Sequence, residues 1–402
     1  MPGPLAGFRI VDLSMMLSGP WAADILGDQG AEVIKVEMPG VGDYTRLLRN
    51  RSGGLSSMFV NINRSKRSIT LNLKDPAGVE VLKRLVETAD VLVQNFRPGV
   101  VDRLGIGWED LRAIRPELVY LSITGFGPEG PYAQRRVYDP VVQALSGLTT
   151  VQAGSDELRP RLIRTVLPDK LSAVAASQAV TAALLARERT GEGQHVEISM
   201  LDTVLGFLWA SDMGAYTFMD KPMQPSEAAS FIDLIYETAD EHMTVAVMSD
   251  REWKAFCLAV GKPEHLEDER FATPEARDEN VNERLELIQS ELLAKTRDEW
   301  LEIFHEHDVP CAPALTRAEV IEHPQVLASD VLIETEHPAA GRLRQTRTPA
   351  KWHGTIPDPP RGAPLLGEHN EEVLSEIGYG EEEIGRLRER GVIGSEMHGV
   401  EA

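Results

Sequence analysis

Five short apolar runs, each followed by a helix-like stretch or a loop, occupy the first 124 residues and restrict the chain to one broad architecture. Residues 8–13 (FRIVDL), 31–37 (AEVIKVE), 68–73 (SITLNL), 89–95 (ADVLVQN) and 118–124 (LVYLSIT) read as buried strands. Strands alternating with helices give an α/β domain around a mainly parallel sheet, since only a long crossover lets the chain start a parallel neighbour. Such crossovers are right-handed, and ligands seat at the carboxyl ends of the strands. The order strand, loop, helix, strand over residues 8–37 is half of a Rossmann-like unit. Its first loop, SMMLSGP at 14–20, holds only Gly19, so the three-glycine pyrophosphate fingerprint is missing. Glu37 nonetheless ends the second strand where an NAD-binding protein would hold a ribose. Residues 40–63 read as loop and carry Arg46, Arg49 and Arg51.

At 402 residues the chain exceeds one typical domain. Residues 1–220 carry the α/β pattern, and 221–229, opening KPMQP, read as a linker. Residues 230–325 change texture to a hairpin (236–248) and short charged helices (250–260, 277–294, 297–307), a smaller α+β domain. Strand-like pieces at 332–335 and 341–348 and an acidic helical segment at 370–389 complete the chain. A net charge of −22 argues against nucleic acid or an anionic membrane as partner, but leaves room for a small polyanion held by a local basic cluster. Cys257 and Cys311 are the two cysteines, in no paired spacing, which fits a reducing cytoplasm and neither a disulfide framework nor a zinc module. The first residues show no basic-then-apolar leader, and no run is long enough to span a bilayer, so a cytoplasmic location is expected.

The middle of the chain, 165–203, holds the residue of most chemical interest. An alanine-rich helix runs through Arg187 and breaks at Gly191; residues 195–199 alternate like a strand, and a further helix is expected over 201–219. Asp169 falls at or beside the N-terminus of the first helix. It can be a cap for orphaned N–H groups or an ionised nucleophile, and the two roles are compatible. Lys74, Arg97, Arg103 and Arg136 lie near predicted strand ends, either as scattered surface charge or as a phosphate pocket on one sheet edge. Hydrolase, NTPase and metalloprotease motifs are absent. His305 and His307 point apart on a helix, so no metal site is expected. His195 reads as half-buried and structural, and His369 sits in a late loop.

Taken together, LAGFRIVDLS…SGP…GDQGAEVIKVE, NRSKRSITLNLK, DVLVQNFRPGVVDRLGIG, LVYLSITGFGPEGPYAQ, YDPVVQALSGL and ARERTGEGQHVEISMLD resemble the class III CoA-transferases. So do the late segments HDVPCAPALTRAEVIEHPQV and LLGEHNEEVLSEIGY. The family includes formyl-CoA transferase and the carnitine CoA-transferases, as well as α-methylacyl-CoA racemases. The resemblance covers nearly the whole chain and is weakest between about 220 and 300. It implies a Rossmann-like large domain with a mainly parallel sheet built from both chain ends, residues 326–402 returning to it, and an interlocked homodimer. By the same matching Asp169 is the nucleophile. Leu17, Ser18, Leu71, Asn72, Leu73, Lys74, Asn95, Phe96, Arg97, Arg103, Arg136, Val137, Tyr138 and Asp139 fall on CoA-contacting segments.

The implied reaction takes acyl-CoA and a carboxylic acid as substrates and needs no ATP, metal or tightly bound cofactor. The carboxylate of Asp169 attacks the thioester, giving a mixed anhydride and then an aspartyl-CoA thioester. Three departures from the family pattern stand out. Met38 replaces an arginine of formyl-CoA transferase, Pro168 precedes Asp169 where a small residue is usual, and SEAASFIDL at 226–234 lacks the glycine-rich lid, which argues against oxalate or formate chemistry. A racemase would need a histidine where Tyr138 stands, so two-base proton transfer is the lesser reading. A non-catalytic acyl-CoA-binding protein and an NAD oxidoreductase are lesser still.

Overall fold

A computed structural model describes residues 2–220, 234–247 and 249–397. The expected linker at 221–229 and all of SEAASFIDL except Leu234 lie outside those residues. Two compact units are present, one of residues 1–149, 162–212 and 329–402, the other of 150–161 and 213–328.

The first unit is built on β1 (Arg9–Asp12), α1 (Ser18–Gly27), β2 (Glu32–Glu37), β3 (Arg67–Thr70), α2 (Pro76–Val86), β4 (Val91–Gln94), β5 (Val119–Thr124), α3 (Asp139–Leu145), α4 (Leu167–Thr190), β6 (Gln194–Ser199) and α5 (Met200–Trp209). The six strands lie in the order β3-β2-β1-β4-β5-β6 and all are parallel. That is the doubly wound order of Rossmann folds. Alternate residues of one strand serve opposite faces. Val11, Ile34 and Leu92 pack on one side with α2, while Ile10, Val33, Val91 and Val93 pack on the other with α1 and α4. Burial on both faces is why these strands read as continuous apolar runs. On the second face Ala22 and Ala23 of α1 share a core with Ala173, Ala176 and Val180 of α4. Side chains this small let two helices lie close together. Gly191, at φ +75°, ends α4 in the left-handed conformation that glycine tolerates best.

All six strands come from residues 9–199, so the sheet itself is not built from both chain ends. The last segment makes a separate antiparallel hairpin, Leu332–His337 with Gly341–Thr346, and returns to the large unit as helices. The edge strand explains why it adds no strand. Along the free side of β3, Asn72 N–H donates to the Val392 carbonyl (2.8 Å), Gly394 N–H donates to Thr70 Oγ1 (2.9 Å), and that hydroxyl donates to the Gly394 carbonyl (2.7 Å). Irregular chain thus covers an edge that would otherwise present unpaired polar groups.

The second unit holds a three-stranded antiparallel sheet of β7 (Ile235–Glu237), β8 (His242–Val245) and β9 (Cys311–Pro313) in the order β9-β8-β7. Trp253, Phe256, Phe271, Trp300 and Phe304 fill its core, with Trp300 and Phe304 stacked at 5.3 Å. Beyond it come β10 (Leu332–His337), β11 (Gly341–Thr346), α6 (Asn370–Glu376) and α7 (Glu381–Glu389). Val373, Leu374, Ile384 and Leu387 of the last two helices join the core of the first unit.

Two local expectations are corrected. Residues 40–63 are not simply loop: they hold a 3-10 turn, Tyr44–Leu47, and a helix, Ser57–Ile62, capped by the Ser56 hydroxyl, which accepts from Phe59 N–H (3.1 Å). The helix expected over 201–219 stops at Trp209, and a separate short turn spans Gly214–Thr217.

Candidate active site

Strand order reverses between β1 and β4: the chain leaves β1 towards β2 and β3, then returns at β4 and proceeds the other way. At such a switch point the two following loops diverge and open a crevice at the carboxyl end of the sheet. Asn95, just after β4, spans this crevice. Its Oδ1 accepts Met15 N–H (2.9 Å) and its Nδ2 donates to the Met15 carbonyl (2.7 Å).

A cavity of about 240 Å³ opens beside this link, lined by Leu13, Ser14 and Met15 after β1, Val36, Glu37 and Met38 at β2, Leu71–Lys74 after β3, and Phe96, Val100 and Leu104 after β4. Of the residues expected to contact CoA, Leu71, Asn72, Leu73, Lys74 and Phe96 line it. Arg97 and Arg103 are exposed and flank the lining residues Phe96, Val100 and Leu104 in sequence. Among the described residues neither they, Lys74 nor Arg136 is in an ion pair, so their charges are available to a ligand. Arg46 has a different role. It is buried, and its guanidinium grips Glu37 through Nε (2.8 Å) and Nη2 (2.7 Å) while stacking on Phe59. Glu37 therefore has its oxygens committed inside the protein and is poorly placed to hold a ribose.

Of the remaining expected contacts, Ser18 and Asp139 meet around Asp169, while Arg136 is exposed on the loop before α3. Leu17 and Ser18 are buried at the start of α1, where Gly19 is required, since a Cβ there would lie 2.3 Å from Ser14 Cβ. Asp169 stands in the first turn of α4, whose N-cap is Val166, so its side chain is not the cap of its own helix. Instead its carboxylate lies beside the hydroxyl and backbone N–H of Ser18, at the N-terminus of α1, and both favour its ionised form. In dinucleotide-binding Rossmann proteins that helix terminus receives a pyrophosphate. Here an internal carboxylate already occupies it, which together with Glu37 disfavours the NAD reading. Ser18 is three residues beyond the cavity-lining Met15, a span of at most about 11 Å.

Asp139, at the head of α3, is buried against the same carboxylate. Its Oδ2 accepts Asp169 N–H (3.2 Å) and its Oδ1 accepts from Gln143 Nε2 (2.6 Å). Burial, then the neighbouring Asp139 charge, pushes the Asp169 carboxyl up to about 6, with the Ser18 donors pulling the other way. Asp139 is itself raised, chiefly by burial, with Gln143, Asp169 N–H and Lys170 opposing. On the same loop Val137 packs against Gly125, and Tyr138 is 70% exposed. The histidines lie elsewhere. His195 Nε2 is 2.8 Å from Ser122 Oγ and the ring stacks on Trp108, while His369 accepts from Ser68 N–H (3.2 Å) at the head of α6. No cluster of metal ligands occurs among the described residues.

Sequence reasoning missed Asp12, Lys35 and Asp43, which hold the crevice loop from beneath, and Gln143. One signal was available: a lysine inside the otherwise apolar strand EVIKVE must find buried partners.

With this geometry in place, the chain's relatives can be read. Residues 5–370 match the family described as CoA-transferase family III. The human succinyl-CoA:glutarate CoA-transferase is 32% identical over 97% of this chain and 90% of its own length. The formyl-CoA:oxalate CoA-transferase of Bradyrhizobium sp. (strain ORS 278) is 33% identical over 98% of both, and the acetyl-CoA:oxalate CoA-transferase of Acetobacter aceti is 35% identical over 93% and 96%. Among solved structures, a CaiB/BaiF family protein from Brucella suis superposes with a TM-score of 0.80 at 31% identity, over 94% of this chain and all of that one. Strand order, crevice and sequence agree: this chain belongs to CoA-transferase family III and is an enzyme of that class.

Proposed function

We propose that the enzyme moves CoA from an acyl-CoA to a carboxylic acid by way of an acyl group carried on Asp169. The observation that carries this reading is the placement of the Asp169 carboxylate on the N-terminus of α1, at the switch point, within one short loop of the cavity. The carboxylate oxygen adds to the thioester carbonyl, the C–S bond breaks, and CoA leaves as thiolate with the acyl group on aspartate as a mixed anhydride. Attack by the thiolate on the Asp169 carbonyl carbon expels the acyl group as its acid and leaves an aspartyl-CoA thioester. An incoming acid reverses the two steps. One thioester replaces another, so the exchange is close to isoenergetic and needs no external energy source. Lys74, Arg97 and Arg103 would hold the CoA phosphates, with the ligand entering the crevice between them.

Acetyl-CoA or succinyl-CoA incubated with hydroxylamine tests this reading. The acyl hydroxamate should form faster with the intact enzyme than from acyl-CoA alone, and Asp169→Ala should give only that uncatalysed background. Deuterium entering the α-carbon of a branched acyl-CoA with no acid present would support the racemase reading instead. With no histidine beside Asp169 among the described residues, that exchange is not expected. Relatives carry names pairing CoA with oxalate or glutarate, so an acceptor screen starts with short dicarboxylic acids.

Arg97→Ala and Arg103→Ala should each weaken CoA binding about 10-fold, and more steeply at low salt. Their exposure predicts stability changes within about 0.5 kcal/mol. Isothermal titration and thermal melts separate the two effects, and unchanged affinity would remove these cations from the phosphate site. The activity kcat/KM should fall as pH drops through about 6, because the nucleophile is then protonated. Asp139→Asn removes a like charge, so this limb should move to lower pH; a limb that stays put excludes Asp139 as its cause.

A homodimer is part of the same proposal. The α4 helix leaves Val174 and Leu185 exposed, and α5 leaves Phe207 and Trp209 about half exposed, so apolar faces remain for a second copy to cover. Light scattering after gel filtration checks this, as a monomer at micromolar concentration would contradict it.

A further inference from the structure

Two ammonium groups are fully buried beneath the crevice, and nothing in a parallel sheet calls for them. The side chains of Lys35, Lys66, Asp12 and Asp43 are all wholly buried. Lys35 Nζ lies 3.0 Å from Asp43 Oδ2 and 3.7 Å from Asp12 Oδ2, and Lys66 Nζ lies 2.9 Å from Asp12 Oδ2. Replacing a buried ion network by apolar side chains is often neutral or stabilising, so such a network is weak as a stability device. What it does supply is a fixed arrangement of donors and acceptors.

Those donors and acceptors converge on one loop. Ser14 N–H donates to Asp12 Oδ1 (3.0 Å), and the Ser14 carbonyl accepts from Lys35 Nζ (3.0 Å). Both polar backbone atoms of Met15 are held by Asn95, and Met16 N–H donates to Asp43 Oδ1 (3.2 Å). Five successive polar backbone atoms are thus gripped by four side chains from β1, β2, the loop after β2 and the loop after β4. On the far side of Ser18, Lys66 Nζ donates to the Pro20 carbonyl (2.7 Å). Met16 is forced to φ +68°, a conformation a non-glycine residue keeps only where its surroundings over-determine it. The next two residues are Leu17 and Ser18, and the Ser18 N–H and hydroxyl lie beside the Asp169 carboxylate and favour its ionised form.

We propose that Lys35, with its counter-ions Asp12 and Asp43, is a positioning residue for the transfer reaction: it locks the 14–18 loop so that Ser18 presents its two donors to Asp169 in one geometry. Asn95 does the same from the β4 side, which gives it a role other than direct contact with CoA. The inference rests on Asp169 as the acyl carrier. A nucleophile whose donors wander by an ångström loses rate without losing substrate, because the CoA cations Arg97 and Arg103 sit on other elements.

The test uses the full-length enzyme with acetyl-CoA and hydroxylamine, comparing wild type, Asp169→Ala, Lys35→Met and Asn95→Ala. Asn95→Ala leaves the ion network intact and decides the matter should Lys35→Met not fold. Circular dichroism gives the folded fraction. Hydroxamate formation per folded enzyme should drop about 10- to 100-fold in the positioning variants, with KM for acetyl-CoA little changed. The acid limb of that rate should also move to higher pH, because the Ser18 donors that favour ionised Asp169 are no longer held on it. Asp139 is the charge facing Asp169, and Lys170 faces Asp139; both are untouched by these variants. Wild-type rate and limb in the folded variants would overturn the positioning role while leaving Asp169 as carrier. A KM that rises in step with the lost rate would also overturn it, as would a wild type that forms hydroxamate no faster than acetyl-CoA alone, which removes the carrier itself.

Discussion

Asp169→Asn is expected to lose CoA transfer by about 10⁴-fold or more and, at neutral pH, to be more stable than the wild type. The first half follows from removing the atom that accepts the acyl group, since no other carboxylate shares its place on α1. The second half follows from electrostatics. In the folded protein the carboxyl is pushed up from 3.8 to about 6 by burial and by Asp139. A raised acid pKa means the folded state binds the proton more tightly than the unfolded chain does. Stability from this group is therefore greatest below about 3.8 and declines as pH rises through about 6, leaving the ionised native state strained by about 1–3 kcal/mol above that window. Asparagine carries no charge to desolvate and presents a carbonyl oxygen to the neighbouring Ser18 donors. Denaturant melts at pH 7.5 and pH 4 check this: the variant should be ahead of wild type at pH 7.5, and the gap should close at pH 4. A variant less stable at pH 7.5 would contradict the environment assigned to Asp169.

Arg46→Ala is expected to destabilise the fold by about 3–5 kcal/mol, the largest stability effect foreseen for a single basic residue here. Three of its interactions are buried: the two-point contact with Glu37, a 3.0 Å donation to the Pro364 carbonyl, and the stack on Phe59. Glu37 would keep its bonds from Ser68 Oγ (2.7 Å) and Asp43 N–H (2.9 Å) but would lose the guanidinium paired with it, leaving a buried charge that Lys35 compensates only in part. Burial works against ionised Glu37, and Arg46 and Lys35 outweigh it, holding that carboxyl below its ordinary value. A double variant, Arg46→Met with Glu37→Gln, should recover part of the loss because no bare charge remains. If Arg46→Ala instead left the melt unchanged and weakened CoA, Arg46 would be a ligand-facing cation and the structural role would be wrong.

The contrast between Arg46 and Arg97 shows where sequence reading stops. Both are arginines in stretches read as loop, and residue type cannot separate them. Arg46 is drawn into the core because Glu37, nine residues earlier, ends a buried strand and needs a partner. Arg97 has no such demand placed on it and stays exposed. Similarly, Asp139 and Tyr138 are adjacent in sequence, yet one is buried against Asp169 and the other is 70% exposed.

The sequence by itself determined the parallel α/β architecture, because strands buried on both faces must be apolar throughout and the chain must cross over between them. It also placed Asp169 at a helix start, since Pro168, the alanine run and Gly191 mark both ends of α4. Tertiary structure decided which helix terminus that carboxylate serves. Ser18 and Asp169 lie far apart in the chain and meet only because the sheet packs α1 against α4. It likewise decided which charges are spent inside the protein and which are left for a ligand, a matter of burial and partner distance that a linear string does not record.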